Sequence, residues 1–285
     1  MKNLVNKRKI DSIIEICNAY NIENYEINSD GSIDVKGDVT FSHLESSKIP
    51  IKFNNVSGNF TCPHGALKSL LNSPRHIGGY FSCSYNNITS LVGGPLSASD
   101  YYCSGNNLIT LEGAPKTISG NFDCEENKLT SLFGGPESVS GYYDCSINKL
   151  ETLTGMCTTV GEYFACTNNI LTTLVGGPNS VGGYYDCSDN NLKTLDGCAE
   201  YIKHNLNLED NGIVSTFSGN SDIDAQSVTV DGASTSSLPK LLLSNWDKIQ
   251  LILKYQRPFM IWNDDLSLDE ENFKSLIEEI QDGLL

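Results

Sequence analysis

Apolar and polar positions recur through the middle of the chain with a fixed spacing. One copy reads Tyr143-Asp144-Cys145-Ser146-Ile147-Asn148-Lys149-Leu150-Glu151-Thr152-Leu153. In Tyr185-Asp186-Cys187-Ser188 the alternation sets Tyr185 and Cys187 on one side of a short strand and Asp186 and Ser188 on the other. The cysteines Cys62, Cys83, Cys103, Cys124, Cys145, Cys166 and Cys187 mark the period, which is 21 residues except for one step of 20. Trimming of a loop at Pro95-Leu96-Ser97-Ala98-Ser99-Asp100 explains the short step. Fainter copies flank the clear ones. Phe41 and Leu208 take the cysteine position, Val39 and Ile49 fit the first of these copies, and Asn211 and Ile213 fit the last.

No single turn of this kind can bury its aromatic, Cys and Leu positions alone, so about nine turns are expected to stack into a solenoid with a parallel sheet. Asn86, Asn106, Asn127, Asn148, Asn169 and Asn190 recur three residues after the cysteine, where the chain leaves the strand. An inward amide there can bond backbone groups that the bend leaves unpaired. The return segments Gly93-Gly94-Pro95, Gly134-Gly135-Pro136 and Gly176-Gly177-Pro178 contain the two strongest helix breakers, which predicts an extended or turn-like convex side and a broad concave sheet.

The ends read differently. Residues 3–19 predict an amphipathic helix with Leu4, Ile10, Ile13, Ile14 and Cys17 as its apolar members, followed by a hairpin at Asp30-Gly31. After the repeat decays, a last strand is expected over Ser227–Val230, a helix over Leu238–Tyr255 broken near Ser244, and another over Ser267–Asp282 begun by a Ser267/Glu270 capping box. Leu268, Phe273, Leu276, Ile277 and Ile280 form its apolar face, and Pro258-Phe259-Met260-Ile261-Trp262 is too apolar for a free linker. The organisation expected is a cap at 1–37, the solenoid at 38–215 and a mainly helical cap at 216–285.

The frame [FY]-x-C-x-x-N-x-L-x-x-L resembles the leucine-rich repeat motif, with an aromatic and a cysteine in place of its first two leucines. Units such as Gly79-Tyr80-Phe81-Ser82-Cys83-Ser84-Tyr85-Asn86-Asn87 and Leu91-Val92-Gly93-Gly94-Pro95 resemble repeat proteins of tailed bacteriophages and some bacteria. The resemblance covers roughly residues 38–215. It implies a β-solenoid of leucine-rich-repeat type, with short parallel strands, an extended convex side and helical caps, and a protein-binding role.

Charge narrows the partner. With 35 Asp and Glu against 19 Lys and Arg the net charge is -16, a field that repels phosphate and favours a protein partner with a basic surface over nucleic acid or an anionic membrane. Lys7, Arg8, Lys9, Asp11 and Glu15 interrupt the apolar residues of the first helix, so neither a signal-peptide core nor a membrane span is expected there. The expectation is a soluble, cytoplasmic protein, in the host cytoplasm if phage-encoded. The sequons at Asn55, Asn59 and Asn87 then carry no glycan.

Candidate chemistry is sparse. A column of sulfurs does not converge as four zinc ligands do, so the cysteines read as small buried hydrophobes. Cys17, Cys157 and Cys198 lie off the column, and His43, His64, His76 and His204 share no repeat position. No cofactor, metal or catalytic residue is expected, and the chain reads as a non-enzymatic module. Bacterial leucine-rich-repeat effectors with a ubiquitin ligase domain carry a nucleophilic cysteine after the repeats, and this chain has none beyond Cys198.

The outward positions are the candidate binding surface. Asp123, Asp144 and Asp186 precede their cysteines, Glu125 and Glu209 follow the cysteine position, and Glu126, Asp189 and Asp210 come one residue later. Asp100 starts its strand, Tyr80, Tyr142, Tyr163 and Tyr184 fill that place elsewhere, and Tyr102 and Tyr85 join them. Strands about 4.8 Å apart would stack these into columns of acid and tyrosine. The function expected is binding of a host protein, inhibiting or modulating it, with antiviral defence proteins as candidates. The alternatives are a nucleic-acid mimic, whose columns Ser104, Ala165 and Thr167 interrupt, an enzyme with its site in the C-terminal cap, and a carbohydrate-binding tyrosine face.

Overall fold

The computed structural model describes residues 2–42, 44–211, 217, 222–231 and 235–285, with the side chains of residues 2–6 left aside. The side chain of Leu4, together with His43, Ile213 and part of the Ser- and Thr-rich stretch after the repeats, lies outside the described residues. The chain forms two compact units, Met1–Gly141 and Tyr142–Leu285. Each is a parallel β-solenoid with a helical element at its end of the chain.

In the first unit the strands Val39–Thr40, Phe60–Thr61, Phe81–Ser82, Tyr101–Tyr102 and Phe122–Asp123 pair in parallel and in register. From Phe60 on, their first residues form a stack of buried rings, with centroids 6.1 Å apart for Phe60 and Phe81 and 4.8 Å for Phe81 and Tyr101, and Val39 begins the column. Burying one such ring on both sides by its neighbours contributes about 2 to 3 kcal/mol, and only stacking makes that burial complete. The cysteines follow on the same side, fully buried, and Cys103 Sγ donates to the Asp123 carbonyl at 3.3 Å.

The return side is extended, as the glycines and prolines predict, and carries a second column of parallel strands that the sequence pattern did not announce. Ile33–Val35, Phe53–Val56 and His76–Ile77 pair in parallel, His76 bridges to Ser97, and Thr117–Ile118 pairs with Ser138–Val139. The two columns are joined by a bend that contains Gly78-Gly79 in one turn and Gly120 in another. A Cβ on Gly78 would meet the carbonyl of Ser57, so the stacked backbones leave no room for a side chain there. The 20-residue step is a shortening of this same bend, where only Ser99 and Asp100 separate Ala98 from Tyr101.

The first unit opens with α1, Lys2–Ala19, and a hairpin in which Tyr25–Ile27 runs antiparallel to Ile33–Val35. The packed stripe of α1 is Ile13 and Cys17, and Tyr20 beyond its end meets Phe41 edge-on at 4.8 Å. Ile10 and Ile14, expected on the apolar face, are exposed instead. Contact with the rest of the unit is made at Ile13 and Cys17, so Ile10, one turn before Ile13, and Ile14, the residue after it, turn to solvent.

In the second unit Tyr143–Asp144, Phe164–Ala165, Tyr185–Asp186 and the end of Tyr201–Asn207 continue the same strand type, beside a return column of Thr159–Val160, Ser180–Val181 and Tyr201–Ile202. Tyr201–Asn207 serves both columns, with Lys203-His204 standing where the previous turn has Gly182-Gly183. Here the two short strands fuse into one, whereas the shortened glycine-free bend at Ser99-Asp100 stays turned. Asp224–Thr229 pairs with this strand across a register shift, covering the expected Ser227–Val230 in part and starting earlier.

The C-terminal elements are α2, Lys240–Leu243, a 3-10 turn at Trp246–Lys248, α3, Ile249–Tyr255, and α4, Glu270–Gln281. The expected break falls at Ser244, the C-cap of α2. The expected Ser267/Glu270 box does not form. Asp269 is the N-cap of α4, accepting from the N–H groups of Glu271 and Asn272, while Ser267 bonds Asp265. A carboxylate at the helix N-terminus also meets the positive end of the dipole, and Leu268 bridges to Trp262 just before it. Phe273, Leu276, Ile277 and Ile261 are buried, so Pro258–Trp262 is part of the cap, although Met260 is exposed.

Candidate functional site

The turn that leaves each strand shapes the candidate face. The residue two after the cysteine position has a left-handed backbone in every described turn: φ is 51° at His64, 57° at Tyr85, 62° at Gly105, 54° at Glu126, 54° at Ile147, 54° at Asn168, 50° at Asp189 and 51° at Asp210. That conformation swings the chain out of the strand and exposes carbonyls, which the next residue satisfies. Asn106 Nδ2 donates to the carbonyls of Cys83, Cys103 and Ser104 at 3.0 to 3.1 Å, and its Oδ1 accepts from Ile88 N at 3.0 Å. Asn169 repeats the arrangement in the second unit with Cys145, Cys166, Thr167 and Leu150. The amide ladder is inward, as its spacing predicts.

The acids one residue before the cysteine are half-buried and fold back on their own chain. Asp144 Oδ1 accepts from Ser146 N at 2.9 Å, and Asp123 Oδ1 from Glu125 N at 3.0 Å. Asp186 Oδ1 accepts from Ser188 N, Ser188 Oγ and Asn207 Nδ2. Burial raises the Asp144 carboxyl above its ordinary range, and the charge of Asp186 adds to the rise. The residue after the cysteine also departs from strict alternation. Ser84, Ser104, Ser146 and Ser188 are buried, and Glu125 and Glu209 are half-buried, because the left-handed turn begins there. Ser188 was expected to face outward.

The acids at the left-handed position, Glu126, Asp189 and Asp210, are all exposed, and Asp189 Oδ2 accepts from Thr167 Oγ1 at 3.5 Å. Among the tyrosines, Tyr80, Tyr85 and Tyr184 are exposed and Tyr102, Tyr142 and Tyr163 half-buried. Asp100 is half-buried, with its carboxylate accepting from Asn121 N and Ser99 Oγ, as Asp38 accepts from Asn59 N in an earlier turn. It therefore serves the backbone more than the surface.

Each unit carries its own set of these residues. In the first, Tyr80 meets Tyr102 edge-on at 5.9 Å, and burial, followed by the nearby Asp100 and Asp123, pushes the Tyr102 hydroxyl pKa up. Tyr85 stacks on His64 at 4.7 Å with the rings 4° from parallel, and its other side lies over Gly105, where a Cβ would strike the ring. In the second, Tyr184 meets His204 at 5.2 Å, and His204 Nδ1 pairs with Gln226 Oε1. His64 and His204 thus belong to the face. His64 follows Cys62 by two residues as Tyr85 follows Cys83, which is the spacing that identifies it; His204 lacks such a signal because its turn has lost the glycine bend.

All ten cysteines are free and buried, and burial pushes the Cys62 thiol up to about 12. Among the described residues no three His, Cys, Asp or Glu side chains gather as metal ligands, and no helix is long and apolar enough to cross a membrane. Comparison with known proteins finds no matching family model, no similar curated protein and no similar solved structure.

Proposed function

We propose that the chain is a non-enzymatic protein-binding module of leucine-rich-repeat type, and that its acid-and-tyrosine face engages a basic surface of another protein. The observation that carries this reading is that each unit has exposed carboxylates on a left-handed backbone, Glu126 in the first and Asp189 and Asp210 in the second, together with exposed tyrosines, Tyr80 and Tyr85 in the first and Tyr184 in the second. A net charge of -16 steers a basic partner to such carboxylates, and the tyrosines supply area that excludes water. The resemblance to repeat proteins of tailed bacteriophages supports an accessory role against a host protein, one of antiviral defence included. A nucleic-acid mimic is disfavoured because Ala165 separates Asp144 from Asp186 on successive paired strands.

The test is affinity capture from host extract with the wild-type chain and with E126K/D189K/D210K, followed by mass spectrometry. A basic protein retained by the first and lost by the second supports the reading. Equal retention by both contradicts it.

A further inference from the structure

The return side of the first unit carries a second surface of different composition. Its segments run Leu71-Asn72-Ser73-Pro74-Arg75, Val92-Gly93-Gly94-Pro95-Leu96, Glu112-Gly113-Ala114-Pro115-Lys116 and Phe133-Gly134-Gly135-Pro136-Glu137. Gly93 lies against the backbone of Leu71, Gly113 against Val92 and Gly134 against Glu112, so the first residues of these segments form one column. Leu96 N donates to the Arg75 carbonyl and Glu137 N to that of Lys116, so the last residues form another. Leu71, Val92, Leu96 and Phe133 are each more than half exposed, Phe133 at 69 %. A groove of about 420 Å³ is floored by Gly93, Gly94 and Gly113, with Arg75 and Glu112 among its walls. Single exposed apolar side chains are ordinary, whereas Leu71, Val92 and Leu96 on two adjoining turns, with Phe133 two turns further on, mark a contact surface. The corresponding positions of the second unit hold Thr154, Val175 and Asp196 in one column and Thr158, Asn179 and Glu200 in the other.

Charge selects the occupant. At a net -16, two copies of the chain repel over most of their surface. This face is neutral, with Arg75 and Lys116 against Glu112 and Glu137. Lys116 and Glu137 already pair at 3.2 Å, while among the described residues Arg75 and Glu112 make no ion pair. A cation and an anion left over beside one apolar groove are complementary to the same groove turned over. We propose that this face is an isologous homodimer interface. A twofold axis sets the Arg75 of each copy against the Glu112 of the other, on either side of an apolar centre of Val92 and Leu96, with Phe133 one turn beyond Glu112 extending the contact.

Sedimentation velocity on the full chain, over a range reaching about 100 µM, tests this. The expected result is reversible association to twice 31.1 kDa. R75E and E112R should each weaken association at least about tenfold, and the double exchange R75E/E112R should restore most of it. F133E should give a monomer with an unchanged circular dichroism spectrum, and V175E in the second unit should dimerise normally. A wild-type chain that stays monomeric throughout overturns the proposal. So does a double exchange no better than the single ones, or a V175E variant as impaired as F133E. The acid-face variant E126K/D189K/D210K should still dimerise, which separates this proposal from the binding reading.

Discussion

Asp123, Asp144 and Asp186 stand on strands one residue before a core cysteine, whereas Glu126, Asp189 and Asp210 stand on or beside the same strands' exits, at the left-handed position. The first group looks regular in sequence, and the regularity has a local cause: each carboxylate accepts the N–H of the residue two further on, tightening the turn. The second group is irregular, alternating with His64, Tyr85, Gly105, Ile147 and Asn168, because the backbone there asks only for a left-handed conformation and leaves the side chain to solvent. In a repeat, strict recurrence reports what the backbone needs, and variation marks the positions where a surface can be specialised.

The largest effect is expected where recurrence is strictest. Asn106→Ala removes an amide that serves three carbonyls and one N–H in a buried turn, and should cost about 3 kcal/mol, measured by denaturant unfolding. A loss below about 1 kcal/mol would show that water replaces the amide and that the ladder is not what fixes the turn.

Asp186→Ala should cost about 1 to 2 kcal/mol, since three hydrogen bonds to one oxygen are lost while the fold tolerates Ala165 at the same place one turn earlier. No change in the unfolding midpoint would return this column to the role of a free surface. At the left-handed position the sign reverses. Ile147 is β-branched at φ 54° and exposed, and Ile147→Asn, the residue found at 168, should raise stability by up to about 1 kcal/mol. A destabilised variant would mean that Ile147 gains more from packing than its backbone loses.

The smallest effect is a pH dependence. Burial raises the Asp144 carboxyl in the folded state, so the folded form binds its proton more tightly than the unfolded chain does. That group therefore opposes folding above its folded pKa, and the opposition fades as pH falls through that value toward the ordinary 3.8. Asp144→Asn, which keeps an oxygen for Ser146 N, should be at least as stable as wild type near neutrality, with the difference shrinking on acidification. A difference that grows on acidification would contradict the assignment.

Much of the solenoid was legible because its period is written in residues that only burial explains: the aromatic, the cysteine, the Asn and the two leucines. The second strand column was not, since Thr117–Ile118 or Ser180–Val181 shows one apolar residue per turn, too short for a period to register. Among the face residues, the acids at outward strand positions are half-buried, and alternation alone cannot tell a carboxylate that projects from one that curls back. That distinction lies in the turn. The Tyr85 and His64 stack depends likewise on Gly105 leaving space for a ring, a relation between neighbouring turns and not within one.

The most direct test sets the two acidic columns against each other in one measurement: the association rate constant of the captured basic protein with D123N/D144N/D186N and with E126K/D189K/D210K, both folded, at low and high salt. The strand-column variant should associate at close to the wild-type rate, and the turn-column variant should be slower by about tenfold or more at low salt, with the gap closing as salt screens the field. Equal rates for wild type and the turn-column variant at low salt would contradict the account, because the exposed left-handed acids would then play no part in meeting a partner.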